Sequence, residues 1–180
     1  MKKLLCLAAA FALLLPFCGV IDMADAATPP SPLGALGAYL GQWSGDGKIL
    51  DTPYSKAASV GGITDCNWSP NHGYLVCDQK VQTPAGPSND LSIYTYDEKE
   101  HTYQFFGLSR NNGNVRRPKL TIAGNRWIYS SAFDDNSGKH VQVRTTNEFT
   151  SATTLNFKTE YSLDGAHWLL MVSGSSHRVK

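Results

Sequence analysis

The stretch Gly41-Gln42-Trp43-Ser44-Gly45-Asp46-Gly47 decides how the chain is read. Side chains two apart on a strand point to the same side. Gly41, Trp43, Gly45 and Gly47 therefore share one face, bare except for a single indole. A face so bare suits a sharply bent strand, or one that another backbone approaches closely. Outward from this stretch the chain shows short alternating runs bounded by turn residues, with no helical period. The runs predict ten strands, over about 41–50, 56–68, 73–82, 90–96, 102–109, 115–123, 126–133, 139–149, 153–163 and 167–178. Such spacing predicts an all-β antiparallel barrel or sandwich. Ahead of it, Leu33 to Tyr39 has the composition for one helical turn packing an end of the fold.

Two hairpins have a stated chemistry. Leu163-Asp164-Gly165-Ala166 and Ala123-Gly124-Asn125-Arg126 each place a glycine where a two-residue turn needs a positive φ. Alternation is cleanest in the second half, where Leu155, Phe157, Thr159, Tyr161 and Leu163 oppose Asn156, Lys158, Glu160 and Ser162. Val141 and Val143 oppose Gln142 and Arg144, and Trp127, Tyr129 and Phe133 oppose Arg126 and Ser130. One face is dry and the other wet or ligand-facing. Alternation alone leaves open which of them lines the inside.

The first residues read as a leader. Lys2 and Lys3 precede an apolar run from Leu4 to Leu15, and Ala24-Asp25-Ala26 is a small-x-small cleavage site. The run is short for a membrane span and Pro16 interrupts it. Cleavage after Ala26 leaves a chain of about 150 residues, enough for one domain with a sizeable core. Residues 27–36, with Pro29, Pro30 and Pro32, read as a linker, and 37–180 as the barrel domain. The expected compartment is secreted or periplasmic, with no stable membrane span after cleavage.

The net charge of +1 argues against a nucleic-acid partner. Arg116-Arg117-Pro118-Lys119, the one basic cluster, reads as a solvated strand end. Of the four cysteines, Cys6 and Cys18 leave with the leader. Cys66 and Cys77 remain, an even count in an oxidising compartment, which reads as one disulfide. A turn at Pro70-Asn71-His72-Gly73 sets Cys66 opposite Cys77 and Trp68 opposite Leu75, so the bridge joins facing positions. With no Cys-x-x-Cys spacing it reads as a structural staple.

The opening at Gly41 resembles the first strand of calycin-type barrels, among them lipocalins, fatty-acid-binding proteins and nitrobindins. Tyr96-Asp97 in the middle and Asp164-Gly165-Ala166-His167-Trp168 near the end add a resemblance to an uncharacterised secreted bacterial family of calycin-like domains. The resemblance covers roughly residues 36–179. It implies a closed barrel whose last strand meets its first, with Gly41 and Trp43 on one side and Arg178 stacked on Trp43 on the other. Ten strands suit a nitrobindin-like barrel better than an eight-stranded lipocalin.

A barrel of this size usually encloses a cavity. Trp43, Trp68, Tyr94, Phe106, Trp127 and Tyr129 are the candidate lining for a small hydrophobic or amphipathic ligand, each with ordinary core as its alternative. The nitrobindin resemblance implies a second reading, haem b held by a late histidine, His167 or His177. No Gly-x-Ser-x-Gly elbow or telling acid–base pair points to catalysis, and no spacing of ligand residues points to a metal site. A third reading is an interaction module presenting the polar loops at 84–89, 110–115 and 134–138.

Overall fold

A computed structural model of the chain describes residues 31–83, 86–111 and 113–179. The expected leader over 1–26 and the first part of the expected linker lie outside the described residues. A short helix α1 (Pro32–Ala35) runs into a 3-10 helix over Leu36–Tyr39. Ser31 caps α1, its Oγ accepting from the Gly34 amide at 3.1 Å, and Pro32 sits in the first turn, where a missing N–H costs nothing. Eleven strands follow: β1 (Gly41–Ile49), β2 (Ala58–Trp68), β3 (Leu75–Thr83), β4 (Gly86–Asp97), β5 (Thr102–Ser109), β6 (Val115–Arg116), β7 (Lys119–Ala123), β8 (Arg126–Asp134), β9 (His140–Ser151), β10 (Thr154–Ser162) and β11 (Leu169–Arg178).

All pairings are antiparallel. They run β4-β3-β2-β1-β11-β10-β9-β8-β7-β5, and β4 also pairs with β5, so ten strands close into a barrel with β6 as an extra strand. The expected strand at 115–123 is therefore two strands. Pro118 has no N–H to give to a ladder, and the chain breaks pairing there. The last hairpin also differs from expectation. Residues 163–168 form a loop instead of a two-residue turn, and β11 starts at Leu169. Asp164 Oδ1 accepts from the amides of Ala166 and His167, each at 2.8 Å, while Ser162 Oγ accepts from Gly165 N at 2.9 Å. The side chains thus fold the loop on itself, and His167 belongs to it. The hairpin at Ala123–Arg126 is two residues long, with Gly124 at φ 58°.

β1 and β11 explain the glycines. Gly47 pairs with Gly174 across the two strands. A Cβ on Gly47 would lie 2.7 Å from the Ser173 carbonyl oxygen and 2.9 Å from the Phe157 ring. The bare face of the opening stretch lets two backbones and one ring from β10 meet where no side chain fits.

The inside of the barrel is the mainly apolar face. Trp127, Val141 and Leu155 are buried on it, and so is the cystine: Cys66 pairs with Cys77 in the β2–β3 register and the two are bonded. Arg144, Lys158 and Glu160 lie on the outer face, joined by ion pairs at 2.8 and 3.0 Å. Loop 163–168 turns back on that face and puts the Trp168 ring 4.1 Å from the Arg144 guanidinium. This cover explains why Glu160, on an outer wall, is buried.

Candidate functional site

The interior divides into a filled end and a hollow. At the filled end the 3-10 helix drops Leu36 and Tyr39 into the barrel, where both are buried. Trp43 Nε1 donates to the Tyr39 carbonyl at 2.9 Å, and the Arg178 guanidinium donates to the Ala38 carbonyl at 2.8 Å. Arg178, paired with Trp43 in the β1–β11 register, stands 4.9 Å from the indole centroid. Tyr39 packs edge-on to Trp127 at 4.8 Å and Phe149 at 5.1 Å, and lies nearly parallel to Tyr94 at 5.9 Å. The helix is thus a plug fastened by two hydrogen bonds and a knot of rings.

Past the plug lies a cavity of about 770 Å³. Tyr39, Trp43, Tyr94 and Tyr129 form its floor, and Val60, Val81, Phe105, Val143, Leu155 and Phe157 much of its wall. The floor carries a group of polar atoms. Asn147 Nδ2 donates to the Tyr39 hydroxyl. The Tyr129 hydroxyl donates to that of Tyr94 at 3.4 Å. Beside them Ser92 Oγ donates to Gln79 Oε1 at 3.3 Å, and Thr145 and Thr159 share a bond of 2.9 Å. Burial disfavours the phenolate, so all three phenols titrate high: Tyr94 is pushed up to about 12, and Tyr39 and Tyr129 rise as well, Tyr39 aided by Tyr94 and Tyr129 by both of the other phenols. They are neutral hydroxyls at any physiological pH.

The cavity reaches a seam in the wall. β5 meets β7 through one register pair, Tyr103 with Leu120, and meets β6 only at Gly107 and Leu108. β7 leaves β8 at Ser130, so Ser131 to Asp134 pair with β9 alone. Arg116, Arg117, Pro118, Ser131 and Ala132 line the cavity where these strands part. Arg116 is held there by Asp90 at 3.5 Å. Arg116, Arg117 and Pro118 of the basic cluster noted in the sequence are thus part of the cavity's lip.

Of the six aromatic candidates, Trp43, Tyr94 and Tyr129 line the cavity. Trp127 is in the core beside the plug. Trp68 sits above the plug, against the Gly37 backbone and stacked with the His72 ring at 6.2 Å. Phe106 faces outward under the Arg117 guanidinium, 5.1 Å away, because its neighbour Phe105 takes the inward position, 4.9 Å from Tyr94 and 5.2 Å from Tyr129. Phe105 and the polar floor residues Asn147, Gln79 and Ser92 line the cavity and lie outside the six candidates. Their signal is parity along their own strands: Gln79 with Cys77, Ser92 with Tyr94, Phe105 with Tyr103 and Asn147 with Val143.

No described histidine lines the cavity. His167 is exposed in its loop, with Nδ1 on Asp164 Oδ2 at 2.6 Å, and this bond raises its pKa. His177 is exposed on the outer side of β11, and its Nδ1 lies 3.4 Å from Thr154 Oγ1. Neither imidazole can face a haem inside the barrel. The groups in the lining of a kind that ligates haem iron are phenols, and burial holds them protonated. The residues present therefore do not fit the haem reading. Among the described residues no cluster of His, Cys, Asp or Glu could hold a metal ion.

The architecture is that of a calycin-like barrel, and solved structures share it. The chain is similar to Rv2717c from M. tuberculosis, at 13% identity and a TM-score of 0.57, over 85% of this chain and 99% of that one. It is also similar to the S-type phycobiliprotein lyase CPES from Guillardia theta, at 10% identity and a TM-score of 0.52, over 81% of this chain and 91% of that one. At such identities the likeness is one of fold. No protein-family model matches the chain, and no curated protein does.

Proposed function

We propose that this protein binds a small apolar or amphipathic molecule inside its barrel and performs no chemistry on it. The observation that carries this reading is the cavity of about 770 Å³, walled by apolar and aromatic side chains and reached at a parted seam. That volume falls in the range of about 300–1,000 Å³ typical of small-ligand sites. The lining offers neutral hydroxyls and amides but no buried acid–base pair, which favours holding a molecule over transforming it. We further propose that the chain is exported, with residues 1–26 removed and the barrel domain beginning near residue 37. The Cys66–Cys77 disulfide and the leader-like composition support this.

The test is titration of the purified protein with diphenylhexatriene, a neutral hydrocarbon whose fluorescence rises in a dry site. One saturable site is expected, lost in Val81→Trp, where an indole would occupy the cavity. Absence of binding by the folded protein, or equal binding by Val81→Trp, overturns the reading. Intact mass of the protein recovered outside the cytoplasm should show cleavage after Ala26.

A further inference from the structure

The floor of the cavity is chemically lopsided. Three phenols and one amide converge in a ring of aromatic side chains, and the hydrogen bonds among them run from donors onto phenol oxygens. Asn147 spends a hydrogen on Tyr39, and Tyr129 spends its own on Tyr94 at a long 3.4 Å. Each oxygen that accepts keeps its own hydrogen to give. The Tyr129–Tyr94 bond is weak enough to be exchanged for a shorter one to an incoming oxygen. All of these side chains line the cavity, so their hydroxyls are within reach of a molecule lying in it.

Charge is placed elsewhere. The charged residues of the lining are Asp46, Arg116 and Arg117. Asp46 pairs with Gly61 and Ser175 and is exposed on the face of β1 opposite Trp43, and the two arginines belong to the seam. Arg178, the cation at the plug, lies against Trp43, is bonded to Ala38 and does not line the cavity. An anion at the floor would lose its hydration with no cation to replace it, whereas a neutral acceptor needs only hydrogen bonds.

We propose that the phenol floor selects, among apolar molecules, those carrying a neutral carbonyl oxygen, and that Tyr94 and Tyr129 donate to that oxygen. The ligand class is a flat or extended apolar ketone, aldehyde or ester, entering carbonyl first with its apolar body along Val81, Val143 and Phe157. This rests on reading the cavity as a ligand site, and the hydrocarbon titration above tests that reading by itself.

The experiment compares 2-acetylnaphthalene, 2-ethylnaphthalene and 2-naphthoate on the wild-type protein, on Tyr129→Phe and on Tyr94→Phe. Each variant removes one oxygen and keeps the ring, so the packing stays. The expected result is that Tyr129→Phe weakens the ketone about fivefold more than 2-ethylnaphthalene, the size of one neutral hydrogen bond of about 1 kcal/mol. Tyr94→Phe should do the same, which also gives a second chance should one variant fold poorly. The infrared carbonyl stretch of bound 2-acetylnaphthalene should fall below its value in hexane and move back toward it in either variant. Equal loss for ketone and hydrocarbon, or a stretch at the hexane value in the wild type, overturns the proposal. So does 2-naphthoate binding as tightly as the ketone with the same sensitivity to Tyr129→Phe, which would make the floor an anion site. If diphenylhexatriene binds and the ketone shows none of these signs, the carrier reading stands and the carbonyl selection falls.

Discussion

The two ends of the barrel are built from the same strands and are unlike in every other respect. β8 carries Trp127, buried in the ring knot, next to its start and ends with Ser131 to Asp134, all exposed. β1 carries buried Trp43 near its start and ends beside Leu50, which is exposed. The plugged end holds the aromatic cluster, the cystine and the fastened 3-10 helix. The far end carries exposed Leu50, Phe133, Leu163, Leu169 and Leu170, and a β1–β2 loop held to the β8–β9 loop by Tyr54 Oη on Asp135 Oδ2 at 3.2 Å. Packing is concentrated at one end and contact with solvent at the other. A barrel so divided can open its far half locally without unfolding.

A pair of substitutions tests the division most directly. Trp43→Ala should cost about 3–5 kcal/mol, the range for removing a large buried ring that cannot be refilled. Phe133→Ala, which removes a ring that is 44% exposed and packed mainly on Tyr54, should cost under about 1 kcal/mol. Urea unfolding of both variants reads the difference. Comparable losses would mean that the core extends evenly through the barrel and the two ends are not distinct.

The disulfide is expected to rank next. It closes a loop with a sequence separation of 11, for which the chain-entropy estimate gives about 3 kcal/mol. Cys66→Ala/Cys77→Ala should lower stability by that order while leaving ligand affinity within about twofold, since the bridge braces β2 against β3 without offering a polar group. A large fall in affinity at unchanged stability would show that the staple shapes the cavity. Free-thiol titration of the mature, unreduced protein should find none.

Alkaline pH attacks the plugged end. Tyr94 titrates near 12 in the fold against 10.0 in an exposed chain, because burial disfavours its phenolate. Below pH 10 both states keep the proton and stability is at its full value. Between 10 and 12 the unfolded chain loses the proton while the fold retains it, so stability falls with rising pH. The loss for this one group is roughly 2–3 kcal/mol, complete near pH 12. Tyr39 and Tyr129 shift in the same direction and steepen the fall. Chemical denaturation at steps from pH 8 to 11.5 should show the decline, less steep in Tyr94→Phe. A flat profile would mean that the phenols are wet and the floor is not sealed.

Much of the closed end was legible from residues alone. Parity around Gly41, Trp43, Gly45 and Gly47 placed the bare face, and the turn at residues 70–73 put Cys66 opposite Cys77. Regular spacing counted ten barrel strands, though it ran β6 and β7 together across Pro118. The far end was harder to read because its features arise from tertiary contacts. Nothing local says that β5 and β7 share a single pair, so the seam and the role of Arg116 in its lip were hidden. Candidate lining residues chosen for size picked Phe106 over Phe105, although both neighbours are phenylalanine and only the register with Tyr94 separates them. The loop at 163–168 misled for a related reason. Its Asp-Gly signal is that of a tight hairpin, and the side-chain bonds from Asp164 and Ser162 outweigh it.

The smallest effect expected is at Arg178, and it bears on where the plug ends and the site begins. Its guanidinium stacks on Trp43 and bonds the Ala38 carbonyl, yet its Nε is buried with no hydrogen-bond partner among the described residues. Stacking and the hydrogen bond each contribute on the order of 1 kcal/mol, and the unpaired Nε offsets part of that. Arg178→Lys keeps the charge but loses the planar fork that can stack and bond together. A net loss of about 1 kcal/mol should follow, measured as a shift in urea midpoint at constant slope. Diphenylhexatriene affinity should stay within twofold, because Arg178 lies against the plug and outside the cavity lining. If affinity falls in step with stability, the plug gives way when its fastening is loosened, and the filled end is a movable wall of the site.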